Sequence, residues 1–338
     1  MDIIIKSFNR PFYLDRCLSS IERLVSGDFN IKVLDDGTPK KYLDKIRQKH
    51  PAVQILLSDN YPKKIKAIEE NLISGKAIDG FEIPTHFWYN SVSNASDYVI
   101  VTEDDVWFTN PVNVDELQQQ ARQFDIHLLK LGWLGNENER KDLILNSVSN
   151  EIESAKPKDL LLLNRTLMTA FFHNRYKFFT LLYKLKIVDN LTALKYWSLN
   201  SILMGFFKKN YWLEIWKDMD GRVDEKKQLI NASVYYKKHQ QNPNFISRLK
   251  KESLKTTFQS SATNSYHEYG FDFDVNLFNH LINEAWFNDK LDAMENFPKD
   301  FSMDYLKSFV SEKINIVEFE KWVTKFRKQY EDMGCNTN

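Results

Sequence analysis

Cysteine is nearly absent from this chain: Cys17 and Cys335 are the only two in 338 residues. Two thiols at opposite ends make neither a disulfide framework nor a metal-ligand spacing, and they fit a reducing compartment. An excess of charge is missing as well. Lys plus Arg and Asp plus Glu number 46 each, so no global field recruits nucleic acid and none is expected as a partner. No apolar run reaches the roughly 18 residues that cross a bilayer. The first strand is under way by Ile3, which leaves no room for a secretory leader, so a cytoplasmic chain is expected. Repeats and low-complexity tracts are lacking too. What remains is 43% hydrophobic and 14% aromatic residues, enough for a sizeable core in one large domain or two ordinary ones.

The first third alternates strand and helix. "DIIIKSF" reads as a strand and "NRP" as a turn. Leu14, Cys17, Leu18, Ile21, Leu24 and Val25 then recur at helical spacing. "FNIKVLDDGTP" is a strand stopped by Asp35, Asp36, Gly37 and Pro39, "KYLDKIRQKH" a short helix and "AVQILLSDN" a third strand. Pro62 to Asn94 reads as mainly helical with a break near Gly75 to Pro84, and Tyr98 opens a fourth strand. This order argues for an α/β fold with a mostly parallel sheet flanked by helices. In such sheets ligands bind beyond the carboxyl ends of the strands. The "SFNR" turn, the "DDGTP" turn and the acids of "YVIVTEDDVWFTNP" all fall at such ends.

That last stretch sets Glu103, Asp104 and Asp105 between a buried strand and Val106, Trp107 and Phe108. Adjacent carboxylates repel, and partial burial raises their pKa values unless a counter-charge is at hand. A solvated turn is one reading. The other is a divalent cation, since hard oxygen ligands suit Mg2+ or Mn2+.

"IIIKSFNRPFYLDRCLSSI", "IKVLDDGTP" and "ASDYVIVTEDDVWFTNP", in that order, resemble the opening of the family 2-type, GT-A-fold glycosyltransferases, over roughly the first 115 residues. The resemblance implies a GT-A (Rossmann-like) sheet and transfer of a hexose-like sugar from a nucleotide-sugar, a UDP- or GDP-sugar, to a glycan or lipid-linked saccharide. It implies that Asp105 is the direct ligand of Mn2+ or Mg2+, with Asp104 and Glu103 reaching the ribose or the metal's waters. Asp35 and Asp36 match the carboxylates that hold base and ribose, and Ser7, Asn9 and Arg10 belong to the turn that packs on the nucleotide. His239, after a candidate strand "ASVYY", is a candidate further metal ligand.

The second half departs from that pattern. "LLKLGWLGNENE" (128–139) reads as a strand and a loop toward the acceptor, and "TAFFHNRYKFF" resembles the acceptor-side strand and helix. In the family an acidic pair on the next helix supplies the catalytic base. Here that helix reads "DNLTALKYWSLNSILMGFFKKN" and has no such pair. Asp189 is the nearest acid, as base or as helix cap, with Asp218 and Asp220 as further candidates. A non-catalytic module that binds glycan or nucleotide-sugar is therefore the alternative. "RYKFFTLLYKLK" mixes lysines with aromatics and reads either as a core helix with lysines at its edge or as a face for peripheral membrane contact. Helical periods such as Leu277, Leu281 and Ala285 complete the expectation: a transferase domain over 1–242, with a nucleotide half to 115 and an acceptor half from 116, then a helical extension over 243–338.

Overall fold

A computed structural model describes the chain except residues 77, 79, 80, 137–140, 264, 265 and 338. The strands are β1 (Asp2–Ser7), β2 (Val25–Ser26), β3 (Asn30–Asp35), β4 (Gln54–Leu57), β5 (Tyr98–Glu103), β6 (Val106–Phe108), β7 (Val112–Asn113), β8 (Leu128–Lys130), β9 (Leu143–Ser147), β10 (Ile152–Pro157), β11 (Gly205–Lys208), β12 (Ile246–Leu249) and β13 (Leu254–Thr256). Among the described residues, nine of them form one sheet in the order β4-β3-β1-β5-β11-β8-β12-β10-β9. β4, β3, β1 and β5 are mutually parallel, β11 runs against both its neighbours, and β12 again lies parallel to β8. The mostly parallel α/β sheet expected from the sequence is present. β6 leaves this sheet to pair with β13.

Side-chain alternation along the strands splits the core into two layers. Ile3, Ile5, Val33 and Ile100 join a cluster with Leu14, Cys17, Leu18 and Ile21 of the helix Pro11–Leu24. Ile4, Leu34, Val99 and Val101 face the other way, onto Trp212 and Ile215 of the helix Lys209–Trp216. Pro11 opens its helix where a missing N–H costs nothing. In the turn after β3, a Cβ on Gly37 would lie 2.6 Å from the Phe8 ring, so only glycine lets the two turns close on each other.

The boundary expected at residue 242 runs through the core. β12 inserts between β8 and β10, and Phe278, Phe319 and Trp322 share a cluster with Ile3 and Ile5. The helices Val275–Phe287, Met303–Val310 and Ile316–Asp332 do follow, but four buried residues, Ile246–Leu249, form a sheet strand inside the region read as helical. "ASVYY" goes the other way. It lies within the helix Glu225–His239, where burial of Leu229, Ile230, Ala232 and Tyr236 follows a helical period. "TAFFHNRYKFF" opens in the helix Arg165–Phe172, and the strand expected there is β11, much later in the chain.

An ion cluster fastens the C-terminal helices to the sheet domain. Asp15, fully buried, accepts hydrogen bonds from His50 Nε2 at 2.8 Å and Trp286 Nε1 at 2.7 Å, and pairs with Lys49. Burial acts to lower the His50 pKa, but Asp15 and Glu22 outweigh it and hold it above the usual value. A raised histidine contributes stability that is full below about 6.5 and is lost as pH rises through its folded pKa. Asp15→Ala should therefore cost about 3 kcal/mol, the low end for a broken buried pair. It should also flatten the loss of stability above neutral pH, as read by urea unfolding across a pH series.

Candidate active site

β1, β3 and β5 end side by side, with Ser7 opposite Asp35 and Lys6 opposite Glu103. Their register brings the three polar clusters together. Arg10, from the turn after β1, spans the acidic pair: its two terminal nitrogens donate to Asp104 Oδ1 at 2.5 Å and Asp105 Oδ2 at 2.7 Å. The Phe8 N–H donates to Asp104 Oδ2 at 3.0 Å. Lys6 Nζ donates to Glu103 at 2.7 Å while lying 4.6 Å above the Trp88 ring and 5.1 Å above Trp216. The counter-charge that the sequence reading assigned to a metal thus comes first from two protein cations.

Three carboxylates face two cations, so a proton held at Asp104 makes the cluster neutral, and a net negative charge appears only as that proton is lost. Burial, with Asp105 as a like charge, pushes Asp104 up to about 7 against the pull of Arg10. Burial also raises Asp105, whereas at Glu103 Lys6 and Arg10 overcome burial and hold the pKa down.

Asp35 and Asp36 have separate tasks. Asp35 is wholly buried and accepts from the Gly37 N–H at 3.1 Å, the Thr38 N–H at 2.8 Å and Thr38 Oγ1 at 2.6 Å, which folds its own turn. Burial lifts it to about 6. Asp36 accepts from Ser58 Oγ at 2.5 Å and pairs with Lys64. Lys64, from the helix Tyr61–Ser74, is 1% exposed. Asn9 sits in the left-handed region at φ 52° and ties the turn to Thr38, Asn276 and Asn283. Its role is to brace the site, with no position on the cavity wall.

These strand ends floor a cavity of about 510 Å³. Ser7, Phe8, Arg10, Asp36, Glu103 and Asp104 line one side, and Trp88, Trp197, Phe207 and Trp216 form an aromatic wall. Gln329, Tyr330 and Met333 close it from the C-terminal end of the chain, so the helical extension is part of the site. Glu225 also joins the lining. Asp224 caps its helix, accepting from the Lys227 N–H at 2.9 Å, and leaves Glu225 at the first helical position. Burial, then the neighbouring Asp224 charge, raises the Glu225 pKa.

The acids expected from the sequence lie elsewhere. Asp189 accepts from Thr192 Oγ1 at 2.6 Å and the Leu191 N–H at 3.1 Å, holding a local turn beside a separate surface depression. Asp220 faces His86 at 3.1 Å, both exposed, and Asp218 offers only its carbonyl, to Lys227. None of the three lines the cavity. The reason is a displaced frame: with the antiparallel strand at Gly205–Lys208, the helix that returns over the site begins at Glu225. Adjacent acids before a long helical run, "VDEKKQLINASVYYKKH", were the available signal. Glu252, between β12 and β13, accepts from the N–H groups of Trp133, Leu134 and Gly135 in the loop after β8, each at 2.8 Å. The acceptor contact expected of residues 137–139 lies outside the described residues.

His239 is also remote from the triplet. It packs on His127 at 4.8 Å and Tyr235 at 4.7 Å between ring centroids. His127 precedes β8, whose first residue is level with Val99 at the start of β5, so a strand length of about 16 Å separates it from Asp105. The described residues hold no group of three His, Cys, Asp or Glu side chains that could cage a metal. A partial donor set does exist. Asp105 Oδ1 is buried with no hydrogen-bond partner, and the Glu103 side chain is 40% exposed. Mg2+ and Mn2+ commonly take one or two carboxylates and complete their shell with substrate phosphates and water. The residues therefore fit an ion that arrives with a diphosphate, and do not fit one held by protein alone.

No protein-family model matches the chain, and no curated protein does. Among solved structures the chain is similar to S. aureus TarS 1-349 in complex with UDP-GlcNAc, with a TM-score of 0.44 and 12% identity over 98% of this chain and 81% of that one. TarS 1-349 without that ligand gives 0.43 and 11% over 97% and 72%. Glucosyl-3-phosphoglycerate synthase from Mycobacterium tuberculosis, in complex with Mn2+, UDP and phosphoglyceric acid, gives 0.35 and 11% over 73% and 66%.

Proposed function

We propose that this protein is a GT-A-type glycosyltransferase that moves a sugar from a nucleotide-sugar to a hydroxyl of a glycan or lipid-linked saccharide. One observation carries the reading: a single cavity is lined by Asp36, Glu103 and Asp104 and also by Glu225. The first three suit base, ribose and diphosphate. Glu225 offers a carboxylate to take the proton of an acceptor hydroxyl as it attacks. Trp88, Trp197 and Trp216 between them offer apolar faces on which sugar rings can lie. A non-catalytic module was motivated by a missing acid, and Glu225 removes that motive.

Mn2+ or Mg2+ belongs to this reading, held by Asp105 and Glu103 together with the diphosphate. When bound it would supply positive charge to the departing diphosphate. The carboxylates at the strand ends make the same demand, since a diphosphate brought beside Glu103 and Asp105 without a cation meets repulsion.

Thermal unfolding with UDP, GDP and Mn2+ tests this. Mn2+ alone should leave Tm unchanged, because no protein cage holds it. UDP or GDP with Mn2+, at a hundredfold excess over Kd, should stabilise the fold by about 2.7 kcal/mol. The proposal fails if no nucleotide shifts Tm in either condition.

A further inference from the structure

The helical hairpin between β10 and β11 is unlike the rest of the surface. Among the described residues, thirteen large apolar side chains stand exposed, and eight of them fall between Leu161 and Leu191. Tyr176 is 100% exposed, Leu185 60%, Leu181 54% and Ile187 52%. Exposed apolar groups this concentrated mark an interaction surface.

Charge selects the partner. From residue 160 to 188 the chain carries Arg165, Arg175, Lys177, Lys184 and Lys186 and not one acid. All five cations are exposed, and none has an ion-pair partner among the described residues. Lys184, Lys186 and Lys195 also rim a depression of about 630 Å³ with Tyr183 and Ile187, where Asp189 is the one acid. The turn of the hairpin holds Asn174, Tyr176 and Lys177 at φ 47°, 54° and 58°, an uncommon backbone for side chains of this size. That conformation leaves Tyr176 uncovered between Arg175 and Lys177. Leucine and aromatic groups set among unpaired cations match an anionic interface, where apolar groups enter the headgroup layer and lysines meet lipid phosphates. No helix among the described residues is long and apolar enough to cross a membrane.

We propose that this hairpin docks the protein on the surface of an anionic lipid bilayer. Its inner face is anchored for that role: Met168, Phe171, Val188 and Tyr196 pack on Leu229 and Ile230 of the helix that begins at Glu225. A docked bilayer would therefore lie on the side of the cavity that carries Glu225.

Co-sedimentation of the full chain with vesicles tests the proposal, using phosphatidylcholine alone or with phosphatidylglycerol added. Binding should require phosphatidylglycerol and weaken with salt. Each lost cation should cost about fivefold, so the combined Lys177→Gln, Lys184→Gln and Lys186→Gln variant should bind about a hundredfold more weakly. Leu181→Ser with Leu185→Ser should also weaken binding while Tm and UDP binding stay unchanged, which separates lost docking from lost folding. No binding to either vesicle, or equal binding to both, overturns the proposal. So does a dimer, seen by light scattering without lipid, that disappears in the leucine variant while vesicles take up no protein.

Discussion

Glu225→Gln should lower kcat by about a hundredfold or more while leaving nucleotide-sugar affinity within about twofold. Glutamine keeps the size and hydrogen-bonding reach of the side chain and loses only its capacity to accept a proton. Glu225 stands on a different element from the strand-end acids, at the start of the helix Glu225–His239, so donor binding has little reason to change. A base works when deprotonated, and burial with the Asp224 charge raises this carboxyl. The rate of the unaltered enzyme should therefore rise with pH through a value above the usual glutamate range, and that limb should vanish in the variant. Asp189→Asn gives the contrast. Its carboxylate only holds the turn to Thr192 and Leu191, a task asparagine performs as well, so turnover should not move. Full kcat in Glu225→Gln would remove the base from this proposal.

Arg10→Met should cost about 4 kcal/mol of stability, because it strands two carboxylates that the guanidinium now bridges. Arg10 is 5% exposed, Asp104 1% and Asp105 9%, so water cannot readily replace it. Asp104 already stands at about 7 against a usual 3.8. A carboxyl raised on folding holds its proton longer in the native state, so its contribution is full below about 3.8 and declines as pH rises through the folded value. Loss of Arg10 lifts Asp104 further and extends that decline. The deficit of the variant in urea unfolding should shrink as pH falls from 8 toward 5. A lysine at this position would restore charge without the fork that reaches both acids, and should recover only part of the loss. An Arg10→Met protein as stable as its parent would show that the bridge contributes nothing to the fold.

Much of the site's floor was legible because it is local. Strand β1, its turn and helix, strand β3 and the strand before the acids each carry their own signal within a short window, from the β-branched run Ile3–Ile5 to Pro11 and Gly37. Parallel strands of similar length end together, which brings Ser7, Asp35 and Glu103 to one edge. What the sequence determined by itself was this α/β frame and the acidic edge.

The opposite wall was decided by tertiary structure. Residues 160–199 form a hairpin and turns between β10 and β11, and their periodic apolar groups imitate the strand and helix that come later. Only pairing of Gly205–Lys208 between β5 and β8 shows which helix returns over the cavity, and hence that Glu225, not Asp189, lines it. The partners of those acids were equally hidden. Nothing in a local window says that Arg10, 95 residues away, donates to Asp105, or that Lys64 is buried against Asp36. Charge pairing across a sheet edge depends on register and burial, which are properties of the assembled core.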